Sequence, residues 1–134
     1  MFLDAAAIVA MLSEEAEAER CAAALLNSAD PITSAIAVWE AAVALARPDK
    51  LAVPLDITGP LVVRFLEDRG VQIRDLPEAG EAVTLALDAA RRFRHGPTRL
   101  NLADCFHYAC ARHYQVPILS TADEFRFTDI ETVP

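Results

Sequence analysis

At 134 residues with 54% hydrophobic side chains, the chain can bury about two-thirds of its unfolded surface as a single domain over 1–134, which argues against disorder. A net charge of −8 speaks against a broad basic surface for nucleic acid, and no apolar run approaches the roughly 20 residues that cross a bilayer. Cys21, Cys105 and Cys110 fit no zinc spacing and make a poor disulfide framework, so a cytoplasmic protein with reduced, mostly buried thiols is expected.

Met1-Phe2-Leu3 suits a brief buried strand, with Asp4 at its C-terminal end and no basic segment before it that would mark a signal peptide. Residues 5–12 are apolar and suit a short helix. Glu14, Glu15, Glu17 and Glu19 then precede alanine and leucine, which predicts an amphipathic helix over 14–28 with its acids in solvent. Asp30-Pro31 breaks it, and Ile32-Thr33 suits a second strand. Ser34 is placed to cap a helix over 35–46, on which Ile36, Trp39, Val43 and Ala46 form the expected buried stripe. Glu40 stands within that apolar segment, at the helix edge. A helix over 54–69 follows, stopped by Gly70; then come a strand over 71–74 and a long helix over 77–93, ended by Gly96-Pro97.

Arg91, Arg92, Arg94 and Arg99 cluster just ahead of the next helix, a local positive strip that the net charge hides. It suits either a solvated helix end or an RNA contact. Asn101 is a suitable N-cap, and Asp104 sits three residues on, where a carboxylate favours the positive helix end. Leu102, Cys105, Phe106, Ala109 and Cys110 recur at helical spacing and should face a core. His107 and His113, on the same helix, have no evident partner and read as surface or satisfied histidines. A strand over 116–120, a turn over 121–125 and an edge strand over 128–133 complete the chain.

Short strands alternating with helices predict an α/β sandwich with a mostly parallel, short-stranded central sheet flanked by helices. In such sheets ligands bind beyond the C-terminal strand ends. Asp4 and Asp123 follow strands, Asp104 opens a helix at the same rim, and Glu40 can reach in from its own helix. Four carboxylates at about 4 Å repel by on the order of 4 kcal/mol per pair at an effective dielectric near 20, so the cluster calls for a cation. An oxygen donor set favours Mg²⁺ or Mn²⁺ over zinc. The matching reaction is phosphodiester hydrolysis, with metal-activated water.

The run Met1–Ala10, the Ser34–Glu40 helix start, Leu100-Asn101-Leu102-Ala103-Asp104-Cys105-Phe106, and Ser120–Phe125 with Thr128-Asp129-Ile130 together resemble a PIN domain, and more narrowly the VapC-type toxin ribonucleases of bacterial toxin–antitoxin pairs. The resemblance spans essentially the whole chain. It implies a PIN-like α/β/α sandwich and an Mg²⁺- or Mn²⁺-dependent endoribonuclease with the acidic quartet Asp4, Glu40, Asp104 and Asp123. Asp4 and Asp104 would be the main metal ligands, Asp123 would bind directly or through water, and Glu40 would orient the metal-bound water. Glu124 is the reserve fourth acid, and Asn101 would hold the helix start near the pocket. It further implies a homodimer and a cognate VapB-like antitoxin covering the acidic groove.

Two positions depart from the family pattern. Ala5 stands where a Thr or Ser commonly follows the first Asp, and Ala122 where a glycine often precedes the final acids. The first predicts weaker metal binding. It supports the alternative of a PIN-fold RNA- or antitoxin-binding protein with weak or no nuclease activity. An aspartyl phosphatase is a poorer fit, since its second Asp would fall on Ala6.

Overall fold

The computed structural model describes residues 1–96 and 99–133 of the chain. Five short strands, β1 (Phe2–Leu3), β2 (Ile32–Ser34), β3 (Gln72–Arg74), β4 (Ile118–Leu119) and β5 (Thr132–Val133), form one sheet in the order β3-β2-β1-β4-β5. Every neighbouring pair is parallel. The helices among the described residues are α1 (Ala5–Leu12), α2 (Ala18–Leu26), α3 (Ala35–Leu45), α4 (Leu55–Asp68), α5 (Ala79–Phe93) and α6 (Leu102–Tyr114).

Successive strand residues point to opposite faces, and the chain uses both. Leu3 and Leu119 pack with Ile8, Cys21, Leu45 and Val62 from α1 to α4. Phe2, Ile32 and Ile118 pack instead with Ala86, Ala89, Tyr108 and Cys110 from α5 and α6. The sheet is therefore covered on both sides, as a parallel sheet requires, and the expected α/β/α sandwich is found. All three cysteines are buried and free. No helix among the described residues is long and apolar enough to cross a membrane.

Strand passes directly into helix at two points on the C-terminal rim of the sheet. Asp4 follows β1 in an extended conformation and caps α1, its side chain accepting from the Ala6 N–H. Ser34 ends β2 and caps α3 through the Ala37 N–H at 3.3 Å. Capping side chains that accept from the first-turn amides fix each helix start, and here they place polar groups along one edge.

Several elements differ from expectation. Helix α2 begins only at Ala18, because Glu14 takes a left-handed φ of 54° and Glu15 pairs with Lys50 across the fold. Trp39 is 67% exposed, and α3 instead buries Ala37, Ala41, Ala42 and Leu45. Alanines allow the close approach in which Thr58 of α4 donates to the Ala42 carbonyl at 2.9 Å; an indole would not fit there. On α6, Leu102 is exposed, while His107, Tyr108 and Ala111 join Cys105, Ala109 and Cys110 in the interior. The last strand is confined to Thr132–Val133 because Asp123–Phe127 form a 3₁₀ helix anchored by buried Phe125. A turn follows it, with the Thr128 hydroxyl donating to the Phe125 carbonyl and accepting from the Ile130 N–H. Pro97, from the expected Gly96-Pro97 stop, lies outside the described residues.

Candidate active site

Asp4 is held from three directions. Its Oδ2 accepts from the Ser120 hydroxyl at 2.7 Å and from the Ala6 N–H at 3.3 Å, and its Oδ1 lies 2.7 Å from His107 Nδ1. Burial alone would push its pKa up, but the His107 contact and the bonds from Ser120 and Ala6 outweigh it and hold the carboxyl below its ordinary value. Ser120 also accepts from the Ala122 N–H at 3.0 Å. Ala122 itself is extended, with φ −80° and ψ 138°, so no glycine conformation is needed there.

His107 is the residue that sequence reasoning missed. It is fully buried on α6, against the tilted Phe2 ring at 5.6 Å. Its Nε2 lies 3.7 Å from Glu40 Oε2. Beyond the 2.7 Å approach of Nδ1 to Asp4, His107 Nε2 and Glu40 Oε2 are both buried without a hydrogen-bond partner. Burial would lower the imidazole pKa; the carboxylates of Asp4, Glu40 and Asp104 outweigh it and raise it. A signal did exist: His107 stands three positions after Asp104, on the same helix face, as a polar side chain inside an apolar run.

Glu40 reaches the site from the second turn of α3, with its side chain about one-third exposed. Burial raises its pKa, with His107 opposing and Asp4 and Asp104 adding to the rise. The helix over which Asp104 presides starts as expected. Asn101 Oδ1 accepts from the Asp104 N–H at 3.0 Å, and Asp104 Oδ2 accepts from the Asn101 N–H at 2.6 Å, a reciprocal capping box. Burial, opposed by that bond and reinforced by the charges of Asp4 and Glu124, pushes the Asp104 pKa up to about 6.

Asp4, Glu40 and His107 thus meet, and Asp104 is near enough for its charge to act on Glu40 and His107. Asp123 does not join them. Its side chain is 68% exposed and lies 3.5 Å from Arg126; the acid of the 3₁₀ helix whose charge acts on Asp104 is Glu124.

The arginines divide. Arg91 pairs with Asp88 at 2.6 Å. Arg92 pairs with Asp88 and Asp129 at 3.3 and 2.8 Å, donates to the Tyr108 hydroxyl, and covers the Phe93 ring at 4.5 Å. With Tyr108 donating to Asp129 at 2.8 Å, it ties α5 to α6 and the turn before β5. Among the described residues, Arg94 and Arg99 are exposed and in no ion pair. Arg94 is close enough for its charge to oppose the burial that raises the Cys105 pKa, beside Asp104.

A cavity of about 230 Å³ opens between α1 and α3, bordered by Ala5, Ala6, Glu40 and Thr121. A larger one, about 570 Å³, lies by Gln115, Val116 and Pro117 at the other strand ends and touches none of the four acids. One ligand atom each from Asp4, Glu40 and His107 lie within 4.8 Å of one another. Buried carboxylate oxygen and ring nitrogen without partners fit a divalent cation, which would satisfy both.

A family profile described as PIN domain matches residues 1–131. Ribonuclease VapC42 of Mycobacterium tuberculosis is 35% identical over 132 residues, covering 97% of this chain and 96% of that protein. Ribonuclease VapC30 of the same organism is 32% identical over 148 residues, covering 99% and 98%. The crystal structure of M. tuberculosis VapC20, described as a toxin that cleaves the sarcin–ricin loop, superposes with a TM-score of 0.71 at 13% identity, covering 99% of this chain and 98% of that one; this likeness is one of fold.

Proposed function

The chain belongs to the PIN domain family, and among its members to the VapC ribonucleases, and from that premise we propose that it is a toxin endoribonuclease that hydrolyses RNA phosphodiester bonds with Mg²⁺ or Mn²⁺. The observation that carries this reading is the meeting of Asp4 and Glu40 with His107 at the C-terminal rim of a parallel sheet, with the charge of Asp104 acting on the group. A divalent ion held by these residues would supply Lewis acidity toward the phosphate and lower the pKa of a water. The chain's own groups do the rest. Ser120 and the Ala6 N–H hold Asp4 in one orientation, and Asp104, fixed by its capping box, offers a second carboxylate. Glu40, one-third exposed with one oxygen buried toward His107, is placed to orient the attacking water. Glu124 closes the acidic set in preference to Asp123. Of the four clustered arginines, Arg94 and Arg99 are the two left to meet RNA phosphate.

A cognate VapB-like antitoxin, a homodimer and a cytoplasmic setting, where RNA substrates reside, belong to the same proposal. Exposed Trp39, Ile57 and Leu87 are apolar surface of the kind that a second copy or an antitoxin covers. One observation favours a weak nuclease: both Asp4 oxygens are already engaged within the protein. Purified protein incubated with labelled RNA, with and without EDTA, tests the proposal. Cleavage restored by Mg²⁺ or Mn²⁺ and lost in Asp104→Asn supports it; cleavage that survives EDTA refutes it.

A further inference from the structure

The imidazole of His107 has no task in an acid-only metal site. A core histidine is normally satisfied, because burying an unpaired polar atom costs about 1–3 kcal/mol. This ring is fully buried; Nδ1 has Asp4 Oδ1 at 2.7 Å, but Nε2 has no hydrogen-bond partner. Nε2 faces Glu40 Oε2, also buried and unpartnered, at 3.7 Å, beyond hydrogen-bond reach. Nδ1 lies 2.7 Å from Asp4 Oδ1, so the nitrogen left for an ion is Nε2. The three side chains come from separate elements: the β1–α1 junction, α3 and α6.

The surroundings fix these groups. Ser120 and the Ala6 N–H occupy Asp4 Oδ2 and leave Oδ1 toward the ring. Phe2 packs against the imidazole from the sheet. The capping box at Asn101 and Asp104 sets where α6 begins, and so where His107 stands one turn later. Such support around ligand atoms is what metal sites require.

We propose that His107 is a metal ligand, its ring nitrogen completing with carboxylate oxygens of Asp4 and Glu40 a one-nitrogen, two-oxygen site that prefers an Mn²⁺-type transition ion to Mg²⁺. Mg²⁺ takes oxygen ligands and keeps several waters; an imidazole nitrogen shifts a site toward the transition ions, of which Mn²⁺ is the one nearest Mg²⁺ in its liking for carboxylate oxygen. The proposal deepens the nuclease reading above and rests on it for the purpose of the ion.

Pulsed electron paramagnetic resonance on the Mn²⁺-loaded wild-type protein reads the ligand directly. Electron spin-echo modulation from a coordinated ¹⁴N is expected, changing to a ¹⁵N pattern when histidine is ¹⁵N-labelled and disappearing in His107→Gln. By calorimetric titration, His107→Gln should lose at least the roughly 10- to 100-fold in Mn²⁺ affinity that even an outer-shell partner is worth, with Mg²⁺ affinity unchanged. Mn²⁺ bound without nitrogen modulation in the wild type overturns the proposal whether or not the variant folds. So does wild-type protein that binds Mg²⁺ as tightly as Mn²⁺. Failure of the nuclease reading looks different: nitrogen modulation is present, yet neither ion supports RNA cleavage.

Discussion

His107 Nδ1 and Asp4 Oδ1 lie 2.7 Å apart with both side chains out of solvent. Removing one partner of a buried charged pair leaves the other uncompensated, at a cost of about 3–5 kcal/mol. Asp4→Ala is therefore expected to lose stability of that order in urea unfolding without added metal. Asp4→Asn, which keeps an acceptor for Ser120 and Ala6, should stay folded and fail to cleave RNA. An Asp4→Ala protein as stable as the wild type would show that the pair contributes nothing.

The same pair shapes the dependence of stability on pH. Asp4 has a lowered pKa, so its contribution is present above the ordinary Asp value and is lost as pH falls through the folded value. His107 has a raised one, so its contribution is full below the ordinary His value and is lost as pH rises through the folded value. The metal-free protein should draw most from the pair between about pH 4 and 6.5. Wild type compared with Asp4→Asn by urea unfolding across pH 3 to 9 checks this, the difference being largest inside that window.

Asp104 runs the other way from Asp4. Its pKa is raised to about 6, so the folded state keeps a proton that the unfolded chain has released, and stability declines as pH rises from about 4 to 6. Asp104→Asn preserves an acceptor for the Asn101 N–H and removes the titration. Relative to wild type, the metal-free variant should gain on the order of 1–2 kcal/mol on passing from pH 4 to pH 7, allowing for screening at the open side of the carboxylate. Its RNA cleavage should be lost at every pH.

Ser120→Ala removes one of three groups holding Asp4. Loss of a hydrogen bond to a charged acceptor costs about 1.5–3 kcal/mol. The Asp4 pKa should also rise, moving acid unfolding to higher pH. Circular dichroism followed against pH reads both effects, and an unchanged acid midpoint would show that Ser120 does not set the charge of Asp4.

The arginines should separate by role. Arg92→Ala breaks the links to Asp88, Tyr108 and Asp129 and is expected to lower the melting temperature. Arg94→Ala with Arg99→Ala should leave it unchanged and weaken RNA binding, flattening the salt dependence by about 0.7 per arginine in log–log slope. RNA binding measured from low to moderate salt, on protein made inactive by Asp104→Asn, decides between them.

Much of this architecture is written locally. Asp4, Ser34 and Asn101 are side chains that cap helices, and each stands before an apolar helical segment, so the rim of the sheet could be placed from the chain alone. What resisted reading depends on distant partners. His107 acquires its meaning from Asp4 and Glu40, which only the fold brings to it. Trp39 looked like core because it shares a helical stripe with Ile36 and Val43, yet close helix packing selects the alanine face. Asp123 and Glu124 are adjacent acids on a tight helix, where neighbours diverge by about 120°; the anchoring of Phe125 decides which one turns inward.

The bond from Ser120 to Asp4 joins positions 116 residues apart, and β4 reaches β1 only after every preceding helix has been made. Contacts of such sequence separation form late, since the loop must close before they repay it. A ribosome translating this message therefore carries an unfinished chain whose first aspartate still lacks its clamp. Until synthesis has passed Ser120, the carboxylate on which the proposed ion site is built is not yet held in place.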